Sequence, residues 1–143
     1  MKRILIIAIL TAALCGQVQA QNLIGALSGT LGPGTYYVIG EISVQNGSSL
    51  VLLPGTTFYL NGNYSFAIYG NLQAIGTAAD SIRFMKNTGV VEWSGFNFMN
   101  PTSSTSRLEY CVVTGSTCNG IEMIGSSPTI SHCRISGNAA GAG

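Results

Sequence analysis

The sequence predicts an all-β chain wound as a parallel β-helix, a solenoid of stacked coils, and three observations carry that reading. The chain repeats itself: R-L-E-Y-C-V-V-T-G at 107–115 returns one coil later as T-I-S-H-C-R-I-S-G at 129–137. Leu108 then falls on Ile130, Cys111 on Cys133, Val113 on Ile135, Thr114 on Ser136 and Gly115 on Gly137. A matching template recurs earlier. Leu50 falls on Leu72 at the same spacing, while Ile42 and Val44 fall on Phe66 and Ile68, and Phe58 and Leu60 on Ile82 and Phe84, at a slightly wider one. Finally, apolar residues alternate over short runs such as Phe66/Ile68, Leu72/Ala74 and Phe96/Phe98, with no sustained helical period after the leader. Sandwiches and barrels do not reuse one apolar template at a fixed period. In a coil each rung lies on its own copy, so the chain must resemble itself at the length of one turn. A period in the low twenties gives about four to five coils. The drift in spacing fits strands of fixed length joined by turns that vary, since each strand must keep its inward set facing the core.

In chain order, Lys2 and Arg3 precede an unbroken apolar-plus-Thr run, Ile4 to Leu14, and Val18-Gln19-Ala20 offers small residues to a signal peptidase. Residues 1–20 are therefore expected to be a secretory signal peptide, with Gln21 as the mature start; the run is too short for a membrane span. The bulky Leu14 before Cys15 argues against a lipoprotein. Residues 21–35 read as a loop-like lead-in or cap, with Gly32-Pro33-Gly34 as its turn, and 36–143 as β-helix repeats. Tyr36 to Val44 reads as strand, and Asn46-Gly47 turns the chain. Asn87 to Gly89 and Asn100 to Ser106 are expected to be longer loops, the second flexible. Substitutions in Thr102–Ser106 should then be silent, whereas Cys111→Asp or Val113→Asp should unfold the coil. The chain ends on A-A-G-A-G at 139–143, where the next strand would begin and where no cap is visible. A coil truncated at its C-terminal end is the expectation, open to a capping partner or to self-association.

L-V-L-L-P-G-T at 50–56, G-N-L-Q-A-I-G-T-A-A-D-S-I-R-F at 70–84, E-W-S-G-F-N-F at 92–98 and S-S-P-T-I-S-H-C-R-I-S-G-N at 126–138 resemble secreted bacterial right-handed parallel β-helix repeat proteins. These share their superfold with pectate lyases. The resemblance covers about Gly34 to Asn138. It implies about three sheets along a right-handed coil, with Asn or aliphatic ladders inside and Asn138 in a turn ladder. It says little of function, because this superfold carries enzymes, adhesins and structural surface proteins alike.

Without the leader, four basic residues (Arg83, Lys86, Arg107, Arg134) face five acidic ones (Glu41, Asp80, Glu92, Glu109, Glu122). That scatter excludes nucleic acid as a partner. Glycoside hydrolysis needs paired carboxylates, and a calcium site needs several. Asp80 is the only Asp and sits in a turn, where Asp bonds its own backbone. Glu92, Glu109 and Glu122 do not repeat at the coil period and need not share a face. His132, the only His, lies where Tyr110 lies one coil earlier and is expected to stack on it. Cys111, Cys118 and Cys133 lack metal-ligand spacing, and Cys111 with Cys133 is expected to form an apolar stack in the core. No catalytic residue, cofactor or metal is expected within these residues. Asn46-Gly47-Ser48 and Asn63-Tyr64-Ser65 match a glycosylation sequon but read as turns. Trp93 and the tyrosines at 36, 37, 59, 64, 69 and 110 could stack on sugar rings, Tyr59 and Tyr69 pointing outward. The expected function is a secreted or cell-surface scaffold with an extended binding face, for polysaccharide. The alternative is the N-terminal part of a larger carbohydrate-active enzyme, a polysaccharide lyase or glycoside hydrolase, whose catalytic residues lie beyond 143.

Overall fold

The computed structural model describes residues 21–90 and 92–139; the signal peptide expected at 1–20 lies outside them. The described chain runs β1 (Gln21–Ala26), β2 (Gly29–Leu31), β3 (Gly34–Val44), β4 (Ser49–Leu52), β5 (Thr56–Leu60), β6 (Ser65–Ile68) and β7 (Asn71–Ile75). It continues through β8 (Ile82–Lys86), β9 (Gly95–Met99), a 3-10 helix at Pro101–Thr105, β10 (Arg107–Glu109), β11 (Cys111–Thr114), β12 (Ile121–Ile124), β13 (Thr129–Ser131) and β14 (Arg134–Ser136). No α-helix occurs among the described residues, so none is long and apolar enough to cross a membrane.

Every strand pairing is parallel, and the path visits three faces in turn. Face one stacks β2, β4, β7, β10 and β13. Face two stacks the first half of β3 with β5, β8, β11 and β14; face three stacks its second half with β6, β9 and β12. The arrangement is a β-helix-like solenoid with two hydrogen-bonded sheets, where the family resemblance implied about three. The reason is β3 itself. It runs unbroken from Gly34 to Val44 and belongs to faces two and three at once, fusing them into one nine-stranded curled sheet. Gly40 lies along that run, and a Cβ there would collide with the Ile24 side chain of β1. β1 pairs with both halves of β3. Residues 21–26 and 29–31 are thus strands rather than the expected loop, their backbone groups satisfied by the first coil.

Alternation puts one row of side chains inside at each strand position, and the rows stack. On face one Leu31, Leu52, Ala74, Leu108 and Ile130 superpose. Face two stacks Tyr36, Phe58, Phe84, Val113 and Ile135; face three stacks Ile42, Phe66, Phe96 and Ile121. The aromatic rows meet at the centre. Phe58 stacks on Tyr36 at 5.5 Å and on Phe84 at 5.1 Å, Phe66 on Phe96 at 5.1 Å, and Phe84 meets Phe96 edge-on at 4.7 Å. Burying one such side chain stabilises by about 1.5–3 kcal/mol, with about 0.5–1.5 kcal/mol more for a well-oriented ring pair.

The register between stacked residues corrects one expectation. Phe58 lies on Phe84 and not on Ile82; Ile82 pairs instead with Cys111 of the next coil. The corner at 76–81 holds more residues than the sequence spacing suggested. Its Thr77 N–H donates to Asp80 O at 3.1 Å. Further residues enter at each later corner of the same coil, so that the stacked pairs Phe66–Phe96 and Ala74–Leu108 are still more widely separated in sequence.

Two of these insertions reach the core. Trp93, fully buried, packs edge-on against Phe96 at 6.2 Å and donates from Nε1 to Thr114 O at 2.9 Å. Residues 100–106 are not a flexible loop. They form the 3-10 helix, whose Asn100 cap accepts from Thr102 N–H. Ser103 and Ser106 are fully buried. Ser106 Oγ accepts from Leu72 N–H at 2.9 Å, Ser103 Oγ pairs with Ser126 Oγ at 2.6 Å, and Thr102 Oγ1 donates to Tyr69 O at 2.6 Å. Serine and threonine here plug a corner with hydrogen bonds, so substitutions in 102–106 are not expected to be uniformly silent.

A polar ladder lines the corner between faces two and three. Asn87 Nδ2 donates to Asn61 Oδ1 at 2.9 Å. Two coils on, Asn138 Oδ1 accepts from Ser116 N–H at 2.9 Å and its Nδ2 donates to Val113 O at 3.0 Å. The turn-ladder role expected for Asn138 is what the geometry shows.

Phe96→Ala is expected to destabilise the fold by about 3–5 kcal/mol. Ser106→Ala should cost about 1–3 kcal/mol, because it orphans the Leu72 N–H inside the core. Urea unfolding followed by circular dichroism measures both. Ser106→Ala at wild-type stability would mean the 3-10 helix does not cover that N–H in solution.

Candidate binding face

The outward side chains of face two form two rows. Thr35, Thr57, Arg83, Val112 and Arg134 make one; the other begins with Tyr37, Tyr59 and Met85. Tyr37 and Tyr59 sit on successive rungs. Their rings stack at 5.7 Å with planes 22° apart. Sequence reasoning groups Tyr59 with Tyr69 and misses this contact, although Tyr37 and Tyr59 are separated by the same interval as Cys111 and Cys133, which was the available signal. Tyr69 lies beyond β6, off that row. The ring faces of Tyr37 and Tyr59 are turned to one another. What they offer solvent is edges and phenol hydroxyls, so this row suits hydrogen bonding better than the ring-on-ring sugar stacking expected. Arg83 donates from Nε to Ser81 Oγ, and Arg134 to Ser136 Oγ, each at 3.3 Å, which holds both guanidinium groups along the face.

Face one is also polar outside. Arg107 and Glu109, side by side on the outer surface of β10, form an ion pair at 3.0 Å. Gln73 Nε2 reaches Thr105 O at 3.0 Å, and Asn71 Nδ2 reaches Thr105 Oγ1 at 2.7 Å. A shallow notch of about 240 Å³ lies beside them, lined by Asn46, Ser48, Ser49, Gly70, Asn71 and Thr102. Asn46 thus sits in the turn expected of it. On face three Glu41 Oε2 accepts from Ser65 N–H and Oγ at 2.8 and 2.6 Å, so Ser65 of the second sequon is tied to a carboxylate one coil away.

The titratable candidates stay apart. Glu109 is on face one and Glu122 on face three, while exposed Glu92 lies in the segment before β9. No group of three or more His, Cys, Asp or Glu side chains converges among the described residues. Asp80 differs from its expected role. Its backbone closes the 76–81 corner, with Asp80 N–H donating to Thr77 Oγ1 at 2.9 Å and Asp80 O accepting from Gly55 N–H at 3.2 Å. The threonine hydroxyl, not the aspartate, makes the turn. His132 stacks on Tyr110 at 4.7 Å with planes 16° apart, as the alignment of the two coils required. Both residues adopt left-handed backbone (φ 52° and 50°), each turning the chain from face one to face two in a single residue.

That corner leads directly to Cys111 and Cys133. Cys111 is buried and Cys133 half-buried. They do not simply stack. Cys133 leans back onto the coil below and accepts from Cys111 N–H at 3.4 Å. Each thiol donates to a carbonyl of the coil below, Cys111 Sγ to Ala74 O and Cys133 Sγ to Leu108 O. The neighbouring Cys133 thiol and burial hold the Cys111 thiol well above the ordinary range. Hydrogen bonding from Cys111 works the other way on Cys133, lowering its thiol to about 6 against the opposing effect of burial. Cys133 is therefore the member that ionises first.

At the last coil the inward rows come to the surface. Met123 and Ile135 are 50 and 45% exposed, and the outward Ile124 beside them 48%. Met123 and Ile135, with Ile121, Ile130 and Asn138, border a hollow of about 480 Å³.

No family model and no solved structure matches the chain. The Drosophila melanogaster protein named Protein bark beetle is 33% identical to it over 69 residues, 48% of this chain. The chain spans about 2% of that protein's length.

Thr77→Ala should destabilise the protein by about 0.5–1.5 kcal/mol, whereas Asp80→Asn should change stability by less than about 0.5 kcal/mol; thermal melts separate the two. In the reduced protein, carbamidomethylation of Cys133 should rise through the pH range near 6, since the thiolate is the nucleophile. Cys111→Ala should move that rise to higher pH. An unchanged profile would show that Cys111 does not hold the Cys133 proton.

Proposed function

We propose that this chain is a segment of a secreted or cell-surface right-handed β-helix scaffold whose face two binds an extended polysaccharide. Right-handedness rests on the connections. A strand that leads through a crossover to a parallel neighbour in the same sheet turns right-handed in nearly all proteins, and every pairing here is of that parallel kind. Secretion rests on the leader read at 1–20.

The observation that carries the binding proposal is the in-register outer pair of rows on face two. Thr35, Thr57 and Arg83 lie beside Tyr37 and Tyr59, repeating hydroxyl and guanidinium groups at the rung spacing of about 4.8 Å. That repeat is close to the rise of one sugar along an extended glycan. A periodic ligand can then meet like groups on successive rungs, and the contacts add by avidity rather than by a deep pocket. Dispersal of the carboxylates over separate faces favours binding over cleavage, which needs two of them across one bond. The exposed apolar side chains Met123, Ile124 and Ile135 favour cover by a partner. The 69-residue likeness to a stretch of a far longer protein agrees with use as one module among many.

Affinity electrophoresis through gels carrying neutral or acidic polysaccharides tests the reading. The chain should be retarded by at least one of them. Tyr37→Phe with Tyr59→Phe, which keeps the ring stack but removes both hydroxyls, should weaken binding roughly tenfold at unchanged Tm. A chain that runs freely through every gel, or a double variant that binds like the parent, would remove face two as the binding site.

A further inference from the structure

Cys111 and Cys133 occupy one inward row, above Ile82, on the last two coils of face two. Cys111 Sγ donates to Ala74 O at 3.3 Å, and Cys133 Sγ to Leu108 O at 3.3 Å. Ala74 and Leu108 are themselves paired on successive rungs, so the two sulfurs lie about one rung apart. That rung spacing falls within the Cα separation a disulfide accepts. Parallel Cβ directions would oppose bridging, but Cys133 already leans its sulfur back onto the Cys111 backbone at 3.4 Å. Bridging calls for rotation about both side chains, which turns the sulfurs toward one another. Access is one-sided: Cys133 is half-buried and meets solvent, while Cys111 is 1% exposed. This pairing of a reachable thiol with a sheltered one is what an attacking and a resolving cysteine require.

We propose that Cys111 and Cys133 form a redox-responsive pair that a low-molecular-weight disulfide, of the oxidised glutathione kind, converts to an inter-rung disulfide. The Cys133 thiolate attacks one sulfur of the oxidant. The oxidant's S–S bond breaks, and one thiolate leaves with the electron pair. Cys111 then yields its proton to that thiolate, and its sulfur attacks Cys133 Sγ, expelling the second. Two protein thiols are oxidised, and one external disulfide is reduced to two thiols.

The position gives the bond its consequence. Cys111 opens β11, the last strand of face two paired on both edges, and Cys133 precedes β14, where Ile135 is 45% exposed. The bridge ties a sparsely covered end coil to one paired on both sides. Terminal repeats of a stacked array open first, so closing this pair suppresses fraying at 129–136.

The test uses the full chain carrying Cys15→Ser and Cys118→Ser, which leaves only the pair. Treated with oxidised glutathione while folded, it should lose the mass of two hydrogen atoms and show no alkylatable thiol after denaturation. A Cys111–Cys133 linked peptide should appear on digestion. Tm should rise by roughly 4–10 °C, amide exchange across Ile130–Ser136 should slow, and dithiothreitol should reverse both. Cys111→Ala should stop at a glutathione adduct on Cys133, and Cys133→Ala should show no Tm response. An adduct that persists with Cys111 present overturns the proposal. So do two thiols that stay alkylatable, or a disulfide that leaves Tm unchanged or lower.

Discussion

A rung of this solenoid is one strand thick on each face, and its inward side chains are covered only by the facing strands of their own coil and by the rungs above and below. Everything else in the structure follows from that dependence. Because the neighbour is at about 4.8 Å, an inward residue must fit on its own counterpart. Rings are therefore found on rings, as in Tyr36–Phe58–Phe84, and aliphatic side chains on aliphatic ones, as in Leu50–Leu72. The same requirement forces the sequence to resemble itself. It is why a period is visible at all in a chain with so little charge and no helical pattern.

The requirement acts on strands and leaves corners free, which is where the sequence is hardest to read. The coil from β7 to β10 carries extra residues at all three corners. The sequence gap between stacked partners widens around it, from Leu50–Leu72 through Phe58–Phe84 and Phe66–Phe96 to Ala74–Leu108. Placing Phe58 over Ile82 rather than Phe84 still leaves every side chain on its correct side, because strand alternation has period two. Composition misleads more. P-T-S-S-T-S looks like a solvated loop, yet Ser103 and Ser106 are buried and hydrogen-bonded. Small hydroxyl residues can fill a narrow corner and satisfy its orphaned backbone groups, and no hydropathy pattern announces that. Trp93 likewise reads as a surface aromatic, but it closes the inserted segment over Phe96 with its indole nitrogen satisfied by Thr114 O. The lead-in at 21–31 is hidden for another reason. Its apolar residues (Leu23, Ile24, Leu27, Leu31) follow no strict alternation, and its strands exist only because β3 and β4 offer them an edge.

On the outer surface the same stacking rule operates without burial to enforce it, so the candidate face is only partly legible. Tyr110 with His132 is readable because those positions lie inside the strongest repeat. Tyr37 with Tyr59 obeys the identical spacing but is masked by the apolar alternation of Phe58 and Leu60. Stacking also decides what the face can do. Rings laid on one another across rungs cannot also lie flat against a ligand, so a row of stacked tyrosines trades ring-face contact for a line of hydroxyls. A solenoid surface of this kind discriminates by repeat distance more than by pocket shape, and among the described residues nothing brings two carboxylates across one bond.

The core also tapers along the axis. Its middle coils hold five phenylalanines and Trp93, all buried. Toward the last coil the rows pass to Val113 and Leu108 and end on partly exposed Ile121, Ile130 and Ile135. In a one-dimensional stack each interface contributes separately, so the weakest interface sets where opening begins. The interface between β11 and β14 lies at this sparsely covered end. The cysteine row crosses it, and the Asn138 amide and the Tyr110–His132 stack bridge it on either side. Three kinds of non-aliphatic contact thus gather where aliphatic burial runs down, which is the pattern expected if local polar and thiol contacts hold an end that apolar packing cannot.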